Sequence, residues 1–148
     1  MQEQSEKQWL ERFEVAEHEA THAVVAQKMG LPVAWVTIDP GCDEGLNFDA
    51  AVKIPDELID REDPDTIRRV CVAMAAPFHF SSHLERPIGH YTVLEYQLAL
   101  GVAGVAGIDA EDIHDTSARL FREGYDEIIE LAERLREAGT VTFAEVVS

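Results

Sequence analysis

From residue 6 to residue 29 the chain contains neither proline nor glycine, and small or apolar residues crowd the second half of this stretch: Val15, Ala16, Ala20, Ala23, Val24, Val25 and Ala26. Ser5 followed by Gln8 makes a capping-box start, and Gly30 with Pro32 makes a C-cap and stop, so the pattern predicts one helix over 6–29. Residues 33–38, "VAWVTI", are β-branched and aromatic and predict a strand. "DPGCDEG" reads as a turn, and 46–54, "LNFDAAVKI", as a second strand that would pair with the first as a hairpin or small sheet. The acidic stretch 56–65 predicts a solvated loop or short helix. A helix then begins near Asp65 and runs through "TIRRVCVAMAA" until Pro77 interrupts or kinks it.

Residues 90–106 suit a buried helix, weakened by Gly101 and Gly104. Asp109 is placed to cap a helix through "AEDIHDTSARLFREG". Ile128, Leu131, Ala132 and Leu135 recur at helical spacing over 125–138, Gly139 ends that segment, and "TFAEVV" adds a short turn. No repeat, linker or low-complexity tract divides the chain. The expected fold is a single α+β domain over 1–148, mostly α-helical, with a small sheet after the first helix and a helical C-terminal half.

The 148 residues suffice for a core, and the balance of 46% hydrophobic to 28% charged is that of a globular protein. A formal net charge of -17 argues against nucleic acid and anionic membranes as partners. No segment approaches the roughly 18 apolar residues of a membrane span. The polar, acidic start is unlike a signal peptide, so a cytoplasmic location is expected. Cys42 and Cys71 lie far apart without CxxC spacing and read as free thiols.

Within the first helix stands His18-Glu19-Ala20-Thr21-His22. Histidines four apart lie on one helix face, about 6 Å apart along the axis, and both rings can converge on one zinc ion. Glu19 sits one step round, where its carboxylate can act as a base on a metal-bound water. Shuffling this composition produces an HExxH in roughly 3% of trials, so the motif alone is moderately specific. Its apolar setting adds weight, because burying two histidines and a glutamate without partners is costly and a metal would satisfy them. The motif lacks a third ligand, and on charge grounds a carboxylate is the natural one.

"AEHEATHAVVAQKMGLPVAWVTIDPG" resembles the protease domain of the FtsH-type AAA+ zinc proteases, whose motif helix reads His-Glu-Ala-Gly-His-Ala and is followed by a "VTI-x-P-x-G" strand. The C-terminal "GYDEIIELAERLREAGTVTFAEVV" is similar to that family's last helix and closing stretch. The resemblance spans roughly 14–148 and is specific at the motif helix, the following strand and the C-terminal end. It implies a zinc-dependent endopeptidase acting on unfolded or flexible polypeptides. It also implies an aspartate as third ligand, from an "N-D-[LI]" stretch opening a later helix. "EDIHDTSARL" resembles that stretch and places the role on Asp112, with Asp109 the main rival and Asp115 sharing roughly the face of Asp112.

The departures are Thr21 where the family has glycine, and "AMAAPFHFSSHLE" in place of a Gly-Gly-Arg-x-Ala-Glu helix. No Walker A sequence precedes the motif, so the expectation is a stand-alone relative without its own ATPase, served by a partner ATPase in trans and able to form a homo-oligomer. The non-catalytic alternative is an inactive relative that keeps zinc or uses the fold to bind proteins. His79 and His83 are also four apart but lack the adjacent glutamate, and packing or surface roles suit them better. His90 and His114 stand alone, and "GVAGVAG" lacks the lysine of a phosphate loop.

Overall fold

The computed structural model describes residues 2–43, 46–48, 50–55 and 59–143. The fold is α+β and mostly helical, as expected. Helix α1 (Gln2–Lys28) is followed by strand β1 (Trp35–Thr37), the short pair β2 (Gly41–Asp43) and β3 (Leu46–Phe48), and strand β4 (Ala51–Lys53). The C-terminal half comprises α2 (Pro64–Ala75), a 3-10 turn (Ala76–Phe78), α3 (His79–Leu84), α4 (His90–Val105), α5 (Ala110–Glu123) and α6 (Tyr125–Ala138). Strand β5 (Thr140–Thr142) closes the described chain.

Helix α1 is the centre of the molecule and packs against α6, α2 and α5 and beneath β1. Ala16, Ala20, Ala23 and Val25 on it have no exposed surface, and such small side chains let neighbouring helices approach closely. The helix begins before the expected position, and the side chains of the Ser5–Gln8 capping box lie outside the described residues. Its end is as read: Gly30 adopts φ +81°, and the Leu31 N–H donates to the Ala26 carbonyl at 2.9 Å. Ile128, Leu131, Ala132 and Leu135 of α6 are all buried.

The sheet differs from the expected hairpin. Residues 46–54 form two strands. β3 pairs antiparallel with β2, inside the stretch read as a turn, while β4 pairs with β1 through Val36 and Val52. The C-terminal segment read as a turn supplies β5, which pairs with the other side of β1 through Val36 and Val141. Three β-branched residues, Thr-Val-Thr, are too few to show a period, and their partner lies at the opposite end of the chain. The remainder of that segment, 144–147, lies outside the described residues, as do 56–58 of the acidic stretch. A Cβ at Gly139 (φ +81°), where α6 turns into β5, would meet Asp39 Oδ2 at 2.1 Å, so the turn needs glycine.

Side-chain caps start two of the remaining helices. Asp63 caps α2 by accepting from the Asp65 N–H at 3.3 Å, with Pro64 in the first turn. Asp109 caps α5 by accepting from the Glu111 N–H at 3.0 Å. Pro77 ends α2, the chain tightens into the 3-10 turn, and α3 resumes. Helix α4 forms as expected but is not buried all round: Ala99 and Ala103 face the core, whereas Leu98 and Val105 are exposed. Among the described residues no helix is long and apolar enough to cross a membrane.

Candidate metal centre

His18 and His22 leave α1 on the same face, as their spacing predicts, with their Nε2 atoms 3.1 Å apart. The third atom at this point comes from α4. Glu95 Oε1 lies 3.0 Å from His18 Nε2 and 2.8 Å from His22 Nε2. Among the described residues these three form the one group that could hold a metal ion. Ligand atoms on a tetrahedron with bonds near 2.0–2.1 Å stand roughly 3.3 Å apart, so shifts of a few tenths of an ångström would seat such an ion.

The hydrogen bonding behind the triangle points the same way. His22 Nδ1 donates to the Ala73 carbonyl at 2.8 Å, and a carbonyl can only accept. In the neutral ring Nε2 therefore presents its lone pair to Glu95 and His18. His18 Nδ1 meets the Thr92 hydroxyl at 3.2 Å, which orients that ring from α4. Glu95 Oε1 is buried and accepts no hydrogen bond of good geometry. A buried carboxylate oxygen facing two ring nitrogens is a set of electron pairs that a metal ion, or a proton carried on a ring nitrogen, would satisfy. Burial opposes protonation of His22, but the Glu95 carboxylate, then Glu19 and the Ala73 carbonyl, hold it up at about 9. Burial likewise opposes ionisation of Glu95, and the two histidines outweigh it, bringing Glu95 down to about 2.

Glu19 is buried beside the triangle. Its pKa is raised by that burial against the opposing pull of His22 and His18, with Glu95 adding to the rise. It lines two clefts that meet at the triangle. The larger, about 820 Å³, is bounded by Phe80, Arg86, Tyr91 and Thr92. The smaller, about 270 Å³, is bounded by β4 and by the apolar side chains of Val70 and Met74. Two residues after Glu19, Thr21 donates to the Glu17 carbonyl at 2.7 Å within α1, so the hydroxyl at the position where glycine was expected is satisfied locally. Buried Glu17 is held by both terminal nitrogens of Arg86, at 2.5 and 3.0 Å.

Asp112, expected as the third ligand, is not brought to the histidines. Arg68 donates to both of its oxygens, at 2.7 and 3.0 Å, and Thr116 donates to Oδ1 at 3.1 Å. The Arg68 hydrogen bond holds the Asp112 carboxyl below its ordinary range. Asp109 is occupied as the cap of α5. The carboxylate at the site is Glu95, and its signal was present in the sequence: over residues 90–108 it is the single Asp, Glu, Lys or Arg. A lone charge in an otherwise uncharged helix needs a partner.

Among the described residues His79 and His83 belong to no group of three possible metal ligands. His79 has no exposed surface, its Nε2 stands 2.8 Å from the Ser117 hydroxyl, and Ser117 in turn donates to the His114 carbonyl at 3.0 Å, so His79 donates to Ser117. Burial, then the charges of His114, His83 and Arg122, lower His79 to about 3. A histidine lowered on folding stabilises the native state above its unfolded pKa of about 6.5, and that contribution drains away as pH falls towards 3. On the order of 5 kcal/mol is at stake over the whole range. Urea unfolding from pH 7 to pH 4 is expected to show this loss. His79→Gln, which keeps an N–H for Ser117, should flatten the profile; an unchanged slope would assign the acid sensitivity to other groups.

Compared with known protein families and with curated proteins, the chain matches none. The resemblance to the FtsH-type peptidase domain therefore rests on the motif helix, the strand after it and the C-terminal end.

Proposed function

We propose that the protein is a zinc-dependent endopeptidase that hydrolyses peptide bonds of unfolded or flexible polypeptides. The observation that carries this reading is the convergence of His18, His22 and the donorless Glu95 Oε1 beside a buried glutamate that opens onto both clefts. Two imidazoles and one carboxylate are a ligand set that catalytic zinc uses, and three protein ligands leave a coordination position open. Zinc bound there would supply a Lewis acid that lowers the pKa of a water molecule. Glu19 would take that water's proton as its oxygen adds to the peptide carbonyl carbon, then deliver the proton to the departing amine nitrogen. No hydrogen bond or ion pair engages the Glu19 carboxylate among the described residues, which leaves it free for this role.

The sheet supports a polypeptide substrate. Strand β4 is at the sheet edge, and among the described residues no strand pairs with its outer side. Ala51 and Val52 line the smaller cleft together with Glu19 and His22. An extended chain adding to β4 by main-chain hydrogen bonds would lie across the ligand triangle. Cleavage of unfolded casein by zinc-loaded protein, abolished by a chelator and restored by zinc, is the expected result. Bound zinc with no cleavage of any unfolded chain would instead favour the inactive, binding-module reading.

Metal binding to the native state also stabilises it by mass action. The zinc-loaded protein is expected to melt several degrees lower after addition of EDTA, and His22→Ala should melt at one temperature with or without the chelator. A loaded wild type whose melting curve ignores EDTA would show that the ion contributes nothing to the fold.

A further inference from the structure

We propose that α4 is a self-association surface: its outward face docks antiparallel on the same face of a second copy of this chain, about a two-fold axis passing Leu98. The inference does not depend on a metal or on peptidase activity.

Helix α4 is mostly apolar, with Glu95 its single charge, and such a composition belongs to a helix that is largely covered. Here one side is open. Tyr91 is 70% exposed, Leu94 48%, Leu98 58%, Val102 42% and Val105 93%. At 3.6 residues per turn these five fall within an arc of about 80°, in a stripe some ~21 Å long. Monomeric surfaces seldom present a continuous apolar stripe of that extent. Gly101 and Gly104 flank it, each within the helix, and a Cβ at either would touch nothing among the described residues. No described residue accounts for these glycines, which weaken a helix, whereas close approach of another backbone does.

Three observations select a second copy as the occupant. The spacing of the stripe is 3, 4, 4, 3 and therefore reads the same in both directions about Leu98. In an antiparallel pair Leu98 meets Leu98, Leu94 meets Val102, and Tyr91 meets Val105, which is the reciprocal pattern of a two-fold interface. Tyr91, the largest residue of the stripe, would face the end where Gly104 leaves room. The chain carries a net charge of -17, yet this exposed face holds no Asp, Glu, Lys or Arg. Two strongly acidic copies approach most readily through a face free of charge, while a basic partner would be recognised through acids that this face lacks. Antiparallel packing also sets the two helix dipoles in opposition. Because Tyr91 lines both clefts, the end of the other copy's α4 would stand at their entrance.

Sedimentation velocity on the full chain, from low to high micromolar concentration, tests the proposal. The expected species has twice the 16.5 kDa chain mass. Leu98→Glu places two like charges on the axis and is expected to raise the dimer dissociation constant on the order of 100-fold or more, with an unchanged circular dichroism spectrum. Should Leu98→Glu fail to fold, Val105→Glu decides, since its side chain is almost wholly exposed. A wild type that is monomeric throughout overturns the proposal, as does a dimer that both folded variants retain. A monomer that floats with phosphatidylcholine vesicles would overturn it too, and would give the stripe to a lipid surface.

Discussion

Glu95→Ala is expected to abolish stable zinc binding while Asp112→Ala leaves it intact. The first substitution removes the only carboxylate in the triangle and leaves two neutral imidazoles, whose Nε2 atoms stand 3.1 Å apart, to hold a dication alone. Groups that merely orient metal ligands alter affinity by about 10–100-fold, so loss of a ligand should exceed that range. Glu95→Gln keeps the shape and removes the charge, and should fall between wild type and alanine. Asp112 makes its contacts with Arg68 and Thr116, and about two-fifths of its side chain is exposed. Solvent screening limits its replacement by alanine to about 1 kcal/mol of stability. Zinc titration against a competing chelator separates these outcomes. Wild-type affinity in Glu95→Ala, or loss of zinc in Asp112→Ala, would return the third-ligand role to α5.

Glu19→Gln is the second large effect. The amide has nearly the volume of the carboxylate, so a residue buried beside α4 and the histidines can be exchanged without opening a cavity. His18, His22 and Glu95 are untouched, and the zinc content is expected to equal that of the wild type. A general base contributes about 10²–10⁴ to rate, and the peptidase turnover should drop by that factor or more with little change in KM. Retained zinc together with undiminished turnover would remove Glu19 from the mechanism. Loss of zinc and turnover together would make it a structural neighbour of the ligands.

The helices were legible because their ends carry local chemistry: Gly30 after α1, Asp109 before α5 and Gly139 after α6 each act within a turn or two of the residue itself. The two histidines and the glutamate of α1 were legible for the same reason, since one helical period sets their geometry. Glu95 was legible only as a lone charge in need of a partner, because its place beside His22 depends on how α4 packs on α2, and nothing near residue 95 names that partner. The small sheet was hidden in a similar way. β1 is flanked by β4 from the middle of the chain and β5 from its end, three residues each, too short for alternation to register. At Asp112 the same carboxylate-rich helix start suits a ligand or an ion pair, and Arg68, 44 residues earlier, decides between them.

Pro77 has a reach beyond the break in α2. In a continuous helix the Ala73 carbonyl would accept from the N–H of the residue four positions on, and that residue is Pro77, which has none. The carbonyl left over is the one that receives His22 Nδ1–H. A proline in one helix thus selects the tautomer of a histidine in another, and turns the lone pair of that histidine towards Glu95 and His18. Alanine at position 77 would offer the Ala73 oxygen a competing donor from its own helix, and the imidazole of His22 would lose its claim on the hydrogen bond that fixes which nitrogen is bare.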